Sequence, residues 1–302
     1  MPTLRYHVVD VFADGPFSGN PLAVVLDGES LTDDEMQSLA REFNLSETAF
    51  PLRPSDDELA DGIDYRLRVF TPLAELPFAG HPSVGAAWVL ASLGRLKPGG
   101  VLMSCAVGVL PMSVERGPGR VELTGGQPRL RADLDVDAAL AACGLASSDL
   151  VTARAPVAGT GIDYGYLFVR GAALAAAIPN LAAVRALGAG GAGAGLVLVD
   201  WDDATATARA RVFVGDIGAP EDPATGSAAL GLGAVLVADG RLASDGESTY
   251  TVFQGAEMGR PSRMDCAVVA NRSTAVECRV SGNVVSIACG EIVRPHYVEE
   301  TA

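Results

Sequence analysis

The chain contains two copies of one pattern. Arg68-Val69-Phe70 recurs as Arg211-Val212-Phe213, 143 residues further on. Gly80, Gly85 and Gly94-Arg95-Leu96 recur as Gly226, Gly231 and Gly240-Arg241-Leu242, at an offset of 146. Matches this dense predict two related folding units, so the first task is to read one unit and carry it to the other.

Each copy runs strand, Pro/Gly-rich turn, then an apolar helix. The first helix is expected to open at Pro82 and to end near Leu93, before Gly94. The second is expected over about Ser227 to Ala238, stopped by Asp239-Gly240. Both are apolar on every side (Val84, Ala87, Val89, Leu90; Ala229, Leu230, Val235, Leu236). A helix without a polar face is buried, so each half should wrap strands around a central helix.

Further strands are read at Tyr6–Phe12, Leu22–Leu26, Ser46–Leu52, Tyr65–Phe70, 166–170, 196–200, 208–214, 249–254 and 284–288. Residues 32–43 form a capped amphipathic helix with acids in its first turn, and 172–187 at most a second surface helix. Many short strands and few helices indicate a mixed, β-rich α+β fold rather than a doubly wound sheet. A domain break is expected near 118–132, where Gly117-Pro118-Gly119 and Gly125-Gly126-Gln127-Pro128 cluster.

Composition removes several function classes. The 302 residues carry 37 acids against 22 Lys and Arg, a formal charge of −15, which opposes nucleic-acid binding. Apolar stretches at 186–199 and 226–238 are too short and glycine-rich to span a bilayer. No basic segment followed by an apolar core opens the chain, so no secretory signal is expected. Five cysteines without a C-x-x-C pair fit a reducing, cytoplasmic setting with neither disulfide nor structural zinc.

Of three histidines, His7 alternates with apolar residues in a strand and His296 lies in the final tail. His81 lies at the mouth of the first buried helix, and its repeat mate is Ser227. A pseudo-two-fold would face the two helix N-termini across one cleft, gathering His81, Asp222, Ser227 and free backbone N–H groups. That arrangement supplies the positive potential an acidic chain otherwise lacks for an anionic substrate. Singly, Asp222 and Ser227 are equally well read as caps, and Glu47 says little by itself. Gly188–Gly193 satisfies G-x-G-x-x-G, but it precedes a strand, the reverse of a dinucleotide fingerprint, and is read as a loop.

Longer motifs carry a resemblance. Val9-Asp10-Val11-Phe12, Pro16–Val24, Phe43–Thr48, Glu75–Pro82, Gly161–Tyr166, Glu221–Ser227 and Gln254–Ser262 follow the motif order of the PhzF-like, phenazine-biosynthesis isomerase family. The resemblance implies the diaminopimelate epimerase fold: two pseudo-symmetric domains, each a barrel-like mixed sheet around a central helix. On this chain these would be 1–125, joined by about 288–302, and 126–287. It also implies a homodimer and a small carboxylate substrate of dihydroaromatic or hydroxy-diene type, handled without metal or organic cofactor. The family's catalytic glutamate falls on Glu47, with its histidine on His81 and its aspartate on Asp222. Gly80, Pro82, Thr225, Gly226 and Ser227 would hold the substrate. The paired thiols of two-base racemases would fall at Ala79 and Thr225, so thiol racemisation is excluded. Two other readings stay open: a non-catalytic binding or interaction protein, and an epimerase or racemase using other bases.

Overall fold

The computed structural model describes residues 2–115, 119–188, 193–215 and 220–295. In the first half the elements are β1 (Thr3–Val11), β2 (Asn20–Val25), α1 (Asp33–Phe43), β3 (Glu47–Leu52), α2 (Asp56–Ala60), β4 (Tyr65–Phe70), β5 (Glu75–Leu76) and α3 (Gly80–Ser92). Strands β6 (Gly99–Cys105), β7 (Gly108–Val114) and β8 (Val121–Thr124) complete it. The second half opens with β9 (Arg129–Arg131), α4 (Val136–Ala142), β10 (Val157–Gly159), β11 (Asp163–Phe168), α5 (Gly171–Ala176) and α6 (Leu181–Leu187). It continues with β12 (Gly195–Asp202), β13 (Thr207–Val214), β14 (Glu221–Asp222), α7 (Gly226–Ala238), β15 (Gly246–Gln254), β16 (Ser262–Asn271), β17 (Thr274–Gly282) and β18 (Val284–Val293).

Hydrogen-bonded neighbours run β18-β1-β2-β3-β4-β6-β7-β8 on one side and β9-β10-β11-β12-β13-β15-β16-β17 on the other. The two series match strand for strand in direction. β2–β3 and β11–β12 are parallel, as are β4–β6 and β13–β15. Antiparallel β8–β17 pairing joins the halves. The chain's final strand does not stay with its neighbours in sequence: β18 lies antiparallel to β1 along Thr3–Val11. Beyond it, Arg294 forks onto Glu35 of α1 at 2.8 and 2.9 Å.

Each sheet curls around its own helix. α3 packs on β1, β2, β3, β7, β8 and β18, and α7 on β9, β10, β11, β16 and β17. The apolar surfaces of the two helices vanish into one continuous core that also takes in Val9, Leu22, Met103, Tyr166, Val212 and Val280. This is the α+β fold of two curled sheets, each around a central helix, expected from the repeat and from the resemblance. At about 25 cal/mol per Å² of apolar surface removed from water, such helices are held by burial rather than by helix propensity. Their glycines (Gly85, Gly231, Gly233) cost helix stability but admit neighbouring strands and side chains.

Local chemistry sets the ends. Thr32 and Glu35 form a reciprocal capping box that starts α1. Gly94 and Gly240, with φ of 69° and 70°, follow α3 and α7. Several boundaries differ from the expectations. α3 begins at Gly80, placing His81 and Pro82 inside its first turn rather than before it. α7 begins at Gly226, so Ser227 is a helical residue and not a cap. The alanine-rich segment 172–187 is two helices split at Pro179, and neither simply coats the surface. Leu174 and Val184 are buried in a second core with Leu140, Leu167 and Phe213, since an alanine-rich face packs closely. Residues 117–118 of the expected break, 189–192 of the glycine loop and His296 lie outside the described residues.

Candidate active site

The start of each central helix is open. Neither α3 nor α7 has a side-chain cap, because the side chains at the cap positions, Ala79 and Thr225, are respectively inert and engaged elsewhere. Thr225 donates its hydroxyl to Asp222 Oδ2 at 2.5 Å instead. The first N–H groups of both helices, which have no intrahelical carbonyl to meet, therefore lie at the junction and give partial positive charge without a cation. The two helix starts are in contact: a Cβ on Gly80 would lie 2.9 Å from the amide nitrogen of Ser227.

A cavity of about 70 Å³, room for several waters, opens at this junction. Its polar lining is Glu47, His81, Tyr164, Asp222, Thr225 and Ser227, and its apolar wall includes Leu76, Phe78, Ile162 and Val214. Gly80 and Gly226 also line it, while Pro82 is buried without reaching it. No Lys or Arg is among the lining residues, and among the described residues no group of His, Cys, Asp and Glu is arranged to hold a metal ion. His7, half-buried on β1, stands apart from the cavity.

Glu47 enters from the first residue of β3 and His81 from the first turn of α3. His81 Nε2 lies 3.6 Å from Glu47 Oε2, and neither atom has a hydrogen-bond partner among the described residues. Burial, then the charge of Asp222, pushes the Glu47 carboxyl up to about 8. Burial holds the imidazole down at about 3. The contact is therefore not an ion pair at neutral pH but a protonated acid beside a neutral ring.

Asp222 comes from β14 on the other half. Burial raises it to about 6, opposed by hydrogen bonds from Thr225 and Asn20. Glu47 and Asp222 are thus pushed apart: one carboxyl holds the proton and the other the charge. Gln254 braces this side, donating to the Asp222 carbonyl at 2.6 Å and to Thr225 Oγ1 at 3.0 Å. Tyr164 and Ser227 share a hydroxyl–hydroxyl bond of 3.0 Å at the α7 end.

The symmetric frame carries an asymmetric site. Strand register makes Gly195 the counterpart of Glu47, and Leu76 that of Asp222, while Ser227 answers His81. A Cβ at Gly195 would lie 2.1 Å from the Phe213 carbonyl oxygen, so no side chain fits there. Each half thus contributes one carboxylate, and neither carboxylate has an acidic mate. Sequence reasoning missed Asn20, Tyr164 and Gln254 as members of this group. All three fall within the motif stretches that carry the resemblance, but nothing in those stretches marked them as site members; burial is what turns each polar group into an obligation to find hydrogen bonds.

Two curled sheets around paired helices, meeting at uncapped helix starts, define the fold as that of the diaminopimelate epimerase-like class of enzymes. Within it, the chain belongs to the family described as phenazine biosynthesis-like protein, which matches residues 9–290. It is 36% identical over 301 residues to a trans-2,3-dihydro-3-hydroxyanthranilate isomerase of Pseudomonas aeruginosa, covering 95% of this chain and 98% of the other. An uncharacterized isomerase of Mesorhizobium japonicum is 34% identical over 306 residues, covering 97% and 99%. A crystal structure of a PhzF-family phenazine biosynthesis protein of Bacillus anthracis superposes with a TM-score of 0.84 at 25% identity, covering 97% of this chain and all of that one. The chain is an isomerase of this family. No helix among the described residues is long and apolar enough to cross a membrane.

Proposed function

We propose that this isomerase moves one proton between two carbons of a small carboxylated substrate, of dihydroaromatic or hydroxy-diene type, with Glu47 taking and returning it. The observation that carries the reading is the pairing of Glu47 with inert counterparts: one carboxyl faces the cavity from the first half, and its symmetry mate is glycine. A single base acting on one face suits a proton shift along a conjugated skeleton, whereas inversion at one carbon needs a second free base opposite; Asp222, the carboxylate of the other half, has both oxygens taken by Asn20 and Thr225.

Raising a carboxyl from 4.5 to about 8 makes its ionised form a far stronger base than an ordinary glutamate. In this reading the Nε2–H of His81 steadies the Glu47 carboxylate as it forms, and Asp222 orients the substrate's donors. Backbone N–H groups near Gly80, His81 and Gly226–Ala228, with the Ser227 and Tyr164 hydroxyls, receive the substrate carboxylate. The apolar wall of Leu76, Phe78, Ile162 and Val214 receives its carbon skeleton. The activity named for the Pseudomonas aeruginosa relative is of this kind. The halves are proposed as 1–125, joined by about 288–302, and 126–287; pairing of β18 with β1 takes that junction back to Val284, and 296–302 lie outside the described residues. We further assign a cytoplasmic homodimer, in keeping with five free thiols; light scattering at about 31 kDa would contradict the dimer.

The test is exchange in heavy water. Candidate dihydroaromatic or hydroxy-diene acids should take up deuterium at carbon without added metal or nicotinamide. Glu47→Gln keeps shape and hydrogen bonding but accepts no proton, and should slow exchange by roughly 10²–10⁴-fold with ligand binding retained. In the wild type kcat/KM should climb with pH toward a limb near 8, as Glu47 ionises. A limb in the ordinary carboxylate range would move the base elsewhere.

A further inference from the structure

The polar group at the centre of the site is one the proposed mechanism leaves unused. Asn20 is fully buried at the start of β2 and touches both halves. Its side-chain nitrogen lies 2.7 Å from Asp222 Oδ1, 3.1 Å from the Ala224 carbonyl and 3.2 Å from His81 Nδ1. Its oxygen accepts from Ser46 Oγ at 3.1 Å, on the residue preceding Glu47.

We propose that Asn20 is a positioning residue for proton transfer: its amide holds the hydrogen of His81 on Nε2 and keeps the site's negative charge on Asp222. The inference rests on the assignment of Glu47 as the proton-transfer group.

Two of the three partners of the Asn20 nitrogen, the Asp222 carboxylate and the Ala224 carbonyl, are acceptors, so the amide has one sensible orientation. Turned over, its oxygen would face a carboxylate and a carbonyl oxygen at hydrogen-bond distance. Two amide hydrogens serve three partners. The shorter, charge-assisted bond goes to Asp222, and the other hydrogen is shared between Ala224 and His81. Nδ1 of His81 is therefore an acceptor, and the ring hydrogen belongs to Nε2. That nitrogen is the one facing Glu47 Oε2 at 3.6 Å. The opposite tautomer would set two lone pairs against each other as Glu47 ionises.

The same amide biases the carboxyl pair. Asp222 receives donors on both oxygens, from Asn20 and Thr225, while Glu47 Oε2 receives none among the described residues. The titratable groups around the pair are His81, Tyr164 and Glu221, and Glu221 is already met by both arms of Arg211. No cation of the lining competes for either carboxylate; both are buried, and Asp222 has two donors, Asn20 and Thr225, where Glu47 has Ser46 alone, so hydrogen bonding weighs toward charge on Asp222.

The experiment is nitrogen-15 NMR of histidine-labelled protein, read beside the pH profile of deuterium exchange. Wild-type His81 should be neutral with its hydrogen on Nε2 between about pH 5 and 8. Asn20→Leu keeps the branched shape, with somewhat more bulk, and removes both donors. It should give a mixture of tautomers, slow exchange by roughly 10²-fold, and move the Glu47 limb of the profile to lower pH, because an Asp222 that has lost a donor carries less charge to oppose the ionisation of Glu47. Hydrogen on Nδ1 in the wild type overturns the proposal even if Asn20→Leu does not fold. So does a folded Asn20→Leu with unchanged tautomer and limb. An active Glu47→Gln removes the underlying assignment and this proposal with it. An inactive Glu47→Gln together with Nδ1-protonated His81 overturns this proposal alone.

Discussion

Gly80 and Gly226 open the two central helices at matching points of the repeat, and their backbones touch. A Cβ on Gly80 would come within 3.2 Å of the Gly226 Cα, and one on Gly226 within 3.2 Å of the Phe12 ring. The first contact is backbone on backbone and cannot yield, whereas the second meets a ring edge. Glycine is required at 80 for this approach, not for an unusual φ.

Gly80→Ala should therefore push the two helix starts apart. It is expected to cost about 1–3 kcal/mol in a denaturant melt and to weaken binding of carboxylate ligands. Gly226→Ala should cost less. Equal penalties at the two positions would contradict the backbone contact.

Stability should have a pH optimum made by this site. Glu47 is raised to about 8 when folded, so between 4.5 and 8 the folded chain keeps a proton that the unfolded chain has released. Stability contributed by the neutral acid is present below 4.5 and lost as pH rises through 8. His81 acts on the other side. Its folded value of about 3 lies below 6.5, so the unfolded chain takes up a proton first and stability falls as pH drops from 6.5 toward 3. Glu47→Gln should raise the melting temperature more at pH 8.5 than at pH 5, and His81→Gln should flatten the acid side. A Glu47→Gln gain that does not grow with pH would contradict the buried protonated acid.

Ser227 touches the cavity through one hydroxyl, shared with Tyr164. In the proposed function it holds the substrate carboxylate and takes no proton. Ser227→Ala should raise KM several-fold with kcat within about threefold of wild type, the pattern of a lost uniform binding contact. A fall in kcat with KM unchanged would give the hydroxyl a place in the chemistry.

The repeat also offers a matched pair of mutations. Arg68 forks onto Glu75 beneath Phe70, and Arg211 forks onto Glu221 beneath Phe213. The first pair is 17% and 42% exposed, the second only 9% and 10%. Arg211 also donates to the Leu174 and Ala177 carbonyls, tying α5 to the sheet. Arg211→Ala leaves a buried carboxylate and two carbonyls unmet and should cost about 3–5 kcal/mol. Arg68→Ala should cost about 1 kcal/mol beyond lost packing. Similar melts for both would show that exposure does not separate them.

The repeat of Arg-Val-Phe and of the glycines was enough to determine two related units, and all-round apolar composition was enough to determine that residues around 84–90 and 229–236 are core. These are local properties: a helix with no polar face has to be covered, whatever covers it. The cap at Thr32 and the helix ends at Gly94 and Gly240 were legible for the same reason, because hydrogen-bonding partners and φ requirements lie within a few residues. The split at Pro179 was equally local and was passed over in favour of the alanine run. Tertiary structure alone decided the rest. Nothing in the periodicity of β18 says that it pairs with β1, since an apolar edge fits many partners and only the assembled fold, which leaves β1 with an edge opposite β2, selects one. Glu47, His81 and Asp222 could be named through resemblance, yet their protonation follows from burial and from an amide at position 20 that reads like any polar residue in a strand. A side chain's pKa and tautomer are set by the few groups that folding brings within about 4 Å of it, and those groups come from β2, β3, α3, β14 and the start of α7.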